Sequence, residues 1–163
     1  DVIKEVGVDA TRFFFLMRSS DTHLDFDLEL AKKESPENPV FYIQYAHARI
    51  CSIFQTATKQ GINLLDQVDL DLKPLENEEE LIIIKKILAF TETVEKSAEL
   101  LEVHRIAFYL QDLVGTFHRY YSSNRIVSDD QTVTLARLFL MNCLRVTIRN
   151  GLSIMGVSAP ASM

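Results

Sequence analysis

The sequence predicts an all-α helical bundle preceded by a short N-terminal junction segment. Three observations carry this. Apolar residues recur at three- and four-residue spacing through most of the 163-residue chain. Strand-like alternation is confined to His23–Leu28. The prolines, at 36, 39, 74 and 160, fall between the periodic stretches, where they cannot break a helix. With 47% apolar residues the chain can bury one sizeable core. The expected division is a junction segment over residues 1–30 and a helical domain over 31–163.

Residues 1–18 read as helical. Gly7 reads as a break before Asp9, which can cap the helix carrying Phe13, Phe14, Leu16 and Met17. Ser19-Ser20-Asp21 is turn-like. His23 to Leu28 alternates as a short strand would, and a short helix over about 28–33 follows. Glu34-Ser35-Pro36-Glu37-Asn38-Pro39 is a loop, with Pro39 suited to the first turn of the next helix. That helix is the first long one, running to about Lys59 with Gly61 as its stop.

Residues 62–76 form a connection containing Pro74 and the acidic run Asp66-x-x-Asp69-x-Asp71. The run lacks the glycine and distal glutamate of an EF-hand, so it reads as a solvated loop. Asn77 with Glu80 gives a capping-box start to a helix over Leu81–Phe90; Thr91 either begins a new helix or marks a bend. Leu100–Tyr121 reads as one helix with Ile106, Tyr109, Leu110, Leu113, Val114 and Phe117 inward. Ser128 with Gln131 suggests a cap for the last helix, about Asp129–Arg149. It is apolar nearly all round and therefore central. Asn150-Gly151 reads as a break, followed by a short turn of helix and the tail to Met163.

Several function classes lose support at this level. Cys51 and Cys143 belong to no Cys-x-x-Cys pair, so zinc and redox chemistry have little support and buried thiols in a reducing cytosol are expected. No apolar run approaches a membrane span. His104 and His118, 14 residues apart, would lie about 21 Å apart along one helix and cannot share a metal. There is no Gly-rich phosphate cradle and no nucleophile elbow, so catalytic, cofactor-binding and metal sites are all expected to be absent.

The net charge of −6 is unevenly spread. Residues 1–80 hold 8 Lys/Arg against 16 Asp/Glu, whereas residues 81–163 hold 9 against 7. The later helices can therefore make a focused, salt-sensitive phosphate contact, though not a broad one.

The most informative pattern is a stripe on the first long helix. Asn38, Tyr42, Tyr45 and Arg49 are spaced four, three and four apart and share one face, while Ile43, Ala46, Ile50, Ile53, Phe54 and Ala57 form an apolar stripe about 120° away. Phenol rings, an amide and a guanidinium suit unstacked bases. The same spacing also suits a helix–helix contact with an arginine at its edge. A second cluster, Arg119-Tyr120-Tyr121 followed by Ser122-Ser123-Asn124-Arg125, interleaves aromatics with arginines near a helix end. Either tyrosine could instead pack into the core.

The string Asn38-Pro39-Val40-Phe41-Tyr42-Ile43-Gln44-Tyr45-Ala46-His47-Ala48-Arg49-Ile50 closely resembles a segment of arginyl-tRNA synthetases that opens their C-terminal, DALR-type anticodon-binding domain. Further matches follow in order: Val6-Gly7-Val8-Asp9-Ala10 with Arg12-Phe13, His23-Leu24-Asp25-Phe26-Asp27, His104-Arg105, Tyr109, Phe117-His118, Tyr121, Leu135-Ala136-Arg137, and Asn150-Gly151-Leu152 with the final Met163. The resemblance covers almost the whole chain. It implies a cytoplasmic, tRNA-binding piece of an arginine–tRNA ligase that partners the anticodon loop of arginine tRNA and the catalytic domain of its own parent chain.

By the same resemblance Asn38, Tyr42, Tyr45, Arg49, Tyr121 and Met163 are the tRNA-binding candidates, with Gln44 and His47 as second choices. The family typically ends in Glu-Arg-Met, its last methionine reaching the anticodon loop; here Ser162 replaces the arginine. The family's His-x-Gly-His and Lys-Met-Ser-Lys signatures are absent from this sequence, so ATP and magnesium are expected to be used elsewhere in the parent and the piece alone to be inactive. The competing class is a helical module binding a protein partner through the same aromatic stripe. If the chain is excised from its parent, Phe13, Phe14 and Phe15 would be partly unmated and would favour self-association as a truncation artefact.

Overall fold

A computed structural model describes residues 2–19, 26–64 and 69–163. Seven helices follow one another among them: α1 (Val2–Leu16), α2 (Leu28–Lys32), α3 (Pro39–Lys59), α4 (Glu78–Leu88), α5 (Phe90–Leu100), α6 (His104–Ser123) and α7 (Gln131–Ile154). No strand occurs among the described residues. Most of the expected His23–Leu28 strand lies outside them; Phe26 and Asp27 are non-helical, and Asp27 caps α2 through a 2.9 Å bond accepted from the Leu30 N–H.

The hub is α6, which packs against α3, α4, α5 and α7 and touches α1. Its inner face (Ile106, Leu110, Leu113, Val114, Phe117, Tyr120) meets Ile43, Ile50 and Ile53 of α3 and Leu138, Met141, Leu144 and Ile148 of α7 in one core. The core extends into α1, where Phe13 and Phe14 are buried. The Phe13–Phe15 triplet therefore leaves only Phe15 half exposed, its ring 5.7 Å from that of Phe26.

Several boundaries differ from the sequence expectation. In α1, Gly7 breaks the helix at φ 83°, but the Asp9 carboxylate does not serve as a local cap; it reaches the C-terminal tail. The helix expected to start at Leu100 begins later, because Leu100 is the last residue of α5. Leu101, a left-handed residue at φ 55°, caps α5, and α6 starts at His104. The Asn77–Glu80 capping box opens α4, and α5 begins immediately after Ala89. The cap of α7 is Asp130, accepting from the N–H groups of Thr132 (2.8 Å) and Val133 (3.1 Å), while Ser128 bonds to Thr134 instead.

Asn150-Gly151 is no break. The helix runs through it, because Gly151 is the residue small enough to lie against Leu110, and the stop comes at Gly156 with φ 65°. Cys51 and Cys143 are half-buried rather than fully enclosed.

Candidate nucleic-acid interface

Helix α3 owes its start to Asn38. The side-chain oxygen accepts from the Val40 N–H at 3.2 Å, and the amide nitrogen donates to the carbonyls of Ala31 (3.1 Å) and Lys33 (2.9 Å). Asn38 is 3% exposed. This member of the stripe is thus a buried cap that welds the loop after α2 to α3, and it lies behind the surface that its neighbours present.

Tyr42, Tyr45 and Arg49 continue the stripe as half-buried residues facing α6. Tyr42 stacks on His118 with ring centroids 4.5 Å apart, and Tyr45 lies 6.0 Å from the same imidazole. Phe41 stacks on Tyr45 from the side at 6.2 Å. The Arg49 guanidinium carbon is 5.1 Å from the Tyr45 ring centre and 5.4 Å from that of Tyr121 on α6, and its Nη2 donates to the Tyr45 hydroxyl. Helical spacing on α3 and α6 thus brings two phenol rings and one guanidinium to a single seam.

The electrostatics follow from this packing. The two tyrosines, Tyr45 first, hold Arg49 even more firmly cationic than usual. Burial, aided by the nearby Arg49 charge, lowers the His118 pKa below the ordinary imidazole value, and its Nε2 is buried without a hydrogen-bond partner. His118 thus sits in an aromatic stack that disfavours its charged form. The neighbouring tyrosines differ in burial: Tyr120 is fully buried and donates to Glu80 Oε1 at 2.7 Å, whereas Tyr121 is half-buried at the seam.

Beside the seam opens a hollow of about 500 Å³. Arg49, Tyr121 and Arg125 line it; Ser52, Thr56, Gln60 and Asn124 add polar groups, and Ile53, Ile126 and Val127 add apolar ones. No carboxylate is among its lining residues. A positive, half-apolar concavity flanked by aromatic rings can hold a planar base and pair with a phosphate, which a convex helical face cannot.

Its far wall is fixed from beneath. Buried Glu80 accepts from Tyr120 and from Arg137 Nε at 2.8 Å, and Arg137 Nη1 donates to the Arg125 carbonyl at 2.8 Å. This ion pair is invisible in the sequence because 57 positions separate its members. The only sequence signal was the N3 position of Glu80 in its capping box.

Gln44 and His47 do not join the seam. Gln44 Nε2 donates to the Ser158 carbonyl and to Asp9 Oδ2, both at 2.9 Å, and the His47 ring meets the Pro160 carbonyl at 2.8 Å. Since a carbonyl only accepts, Nδ1 carries the proton. Burial lowers the His47 pKa, with Arg145 and Arg149 adding to the effect. These residues pin the tail along another flank of α3. Met163 ends that tail and is 57% exposed.

The described residues contain no group of three or more His, Cys, Asp or Glu side chains able to hold a metal, and no helix long and apolar enough to cross a membrane.

Residues 43–163 match the family model of the DALR anticodon binding domain. The chain is 52% identical over its full length to the arginine–tRNA ligase of Syntrophotalea carbinolica and 50% identical to that of Geotalea daltonii, covering 29% of each relative. It thus spans less than a third of the length of the curated relatives it matches. Among solved structures, the arginyl-tRNA synthetase of Thermus thermophilus superposes with a TM-score of 0.82 at 26% identity, over 98% of this chain and 27% of that one. The chain belongs to the DALR anticodon-binding domain family.

Proposed function

We propose that this chain grips the anticodon loop of arginine tRNA as the anticodon-binding part of an arginine–tRNA ligase. Tyr45 and Tyr121 stack on opened bases, Arg49 and Arg125 meet phosphate or base edges, and Tyr42 and Met163 supply flanking contacts. The observation that carries this reading is the Tyr45–Arg49–Tyr121 seam at the mouth of a hollow lined by two arginines and no carboxylate. Stacking of one base on an aromatic ring contributes about 1–3 kcal/mol and tolerates base identity. Discrimination then falls to the hydrogen-bonding groups in the hollow. Asn38 acts from behind by fixing where α3 begins.

In this reading the parent enzyme works in the cytoplasm and uses ATP and magnesium in a catalytic domain outside these helices. The present chain holds the far end of the tRNA while the acceptor end is charged there.

Fluorescence anisotropy with an arginine-tRNA anticodon stem-loop and a scrambled loop, at two salt concentrations, tests the proposal. The cognate loop should bind more tightly, and its affinity should weaken as salt rises. Equal affinity for both loops, or none for either, would favour a helical module that binds protein through the same stripe.

A further inference from the structure

The C-terminal tail is held by groups from two helices. Met155 and Val157 bury their side chains in the core, and Gly156 turns the chain at φ 65°. From α1, Arg12 Nη1 donates to the Gly156 carbonyl at 2.7 Å. One turn earlier on α1, Asp9 takes three donors with one carboxylate: Oδ1 accepts from the Ser158 N–H at 3.2 Å, and Oδ2 accepts from the Ser158 hydroxyl and from Gln44 Nε2. Gln44 closes the loop by donating to the Ser158 carbonyl. These bonds join parts of the chain 35, 114 and 149 positions apart, those of 35 and 149 at one carboxylate.

The contacts also give the tail a direction. Ser158 meets Gln44 and Pro160 meets His47, nearly one turn further along α3, so the tail runs parallel to that helix. The three residues after Pro160 span at most about 10 Å. Measured along α3 from His47, this reaches no further than about Phe54. The chain end is therefore confined to the neighbourhood of these turns of α3.

We propose that Asp9 is a positioning residue that sets the course of the tail and, through it, the place of Met163. Beyond Val157 only Ala159 packs against the core, partly buried, and the tail is otherwise held by polar bonds, in which Asp9 takes both the Ser158 N–H and the Ser158 hydroxyl and also anchors Gln44, the second group bonded to Ser158. The consequence for RNA rests on the function proposed above; the consequence for the tail does not.

The test compares the chain with its Asp9→Ala, Asp9→Asn and Ser158→Ala variants, using residue-resolved amide exchange, backbone relaxation, thermal unfolding and stem-loop anisotropy. In Asp9→Ala the Ser158 amide should exchange at least tenfold faster and residues 159–163 should gain fast motion, while Leu144 and Ile148 stay protected and the Tm moves little. Asp9→Asn keeps one acceptor and should fall between. Ser158→Ala removes one donor from the tail side, so it probes the same knot should the Asp9 variants fold poorly.

The stem-loop should bind Asp9→Ala about three- to tenfold more weakly. An unchanged tail in Asp9→Ala and Ser158→Ala overturns the proposal whatever the RNA result. A loosened tail with unaltered stem-loop affinity overturns the link to Met163. Failure of the unsubstituted chain to bind the stem-loop counts against the proposed function alone, and the exchange data still decide the role of Asp9.

Discussion

Arg49 of α3 lies over the ring of Tyr121 of α6, its guanidinium carbon 5.4 Å from the ring centre. The contact joins two helices that the sequence offers as separate aromatic clusters, and it makes the charge and the ring one recognition surface. Such pairs contribute about 0.5–1 kcal/mol near a surface. A double-mutant cycle between Arg49→Ala and Tyr121→Ala, read from urea unfolding, should return a coupling of that size.

The same residues should separate by their effects on RNA. Tyr121→Ala and Tyr45→Ala should each weaken stem-loop binding by about 1–3 kcal/mol with helical circular dichroism intact. Arg49→Ala should also reduce the slope of log affinity against log salt by about one. If both tyrosine variants lose their fold, the rings serve the core and the seam is not a binding surface.

Glu80 should be among the most sensitive positions for stability. It is fully buried and accepts from Tyr120 and Arg137. Glu80→Ala strands a buried phenol and a largely buried guanidinium, with an expected cost of about 3–5 kcal/mol. Glu92→Ala removes the exposed partner of Lys96 and should leave stability almost unchanged. Denaturant midpoints of the two variants give the comparison directly.

Two helical glycines should respond with opposite signs. A Cβ on Gly151 would lie 2.8 Å from a methyl of fully buried Leu110, so Gly151→Ala should destabilise by about 1 kcal/mol despite the better helix propensity of alanine. A Cβ on Gly115 would meet only the Arg119 side chain at 3.8 Å. Gly115→Ala should stabilise by about 0.5–1 kcal/mol. Thermal unfolding of both variants checks the pair.

Acidification should destabilise the fold from about pH 6.5 downward. Burial depresses the pKa of both His47 and His118, so the unfolded chain takes up these protons first as pH falls. Stability from this source is fully present above the unfolded imidazole pKa. It declines as pH drops toward the lower folded values and then levels off. His118→Phe keeps an aromatic ring on Tyr42 without titrating, so its urea midpoint should fall less than the parent's between pH 7 and pH 5.

Much of the fold was legible because its signals are local. Pro39 opens α3, Gly61 ends it, and the Asn77–Glu80 box opens α4, each acting within one helical turn. The misplaced boundaries have longer-range causes. Leu101 ends α5 in the left-handed region, where glycine is usual, and it is 89% exposed, so nothing in its type or surroundings marks the stop. Gly151 resembles a breaker until Leu110, 41 positions away, supplies the reason for a small residue. For the site, helical spacing was enough to group Tyr42, Tyr45 and Arg49. It could not distinguish Asn38 as a buried cap, because that depends on the carbonyls of Ala31 and Lys33 folding back over it.

The loop bearing Arg125 is braced before any ligand arrives. Arg137 holds the Arg125 carbonyl, and the Asn124 amide donates to Glu79 Oε2 at 2.7 Å and to the Tyr120 carbonyl at 3.0 Å. A wall set in advance forfeits little conformational entropy when it is engaged. Most of the rearrangement on association should then fall on the nucleotide strand, with the protein acting as a rigid template that selects loops able to open against it.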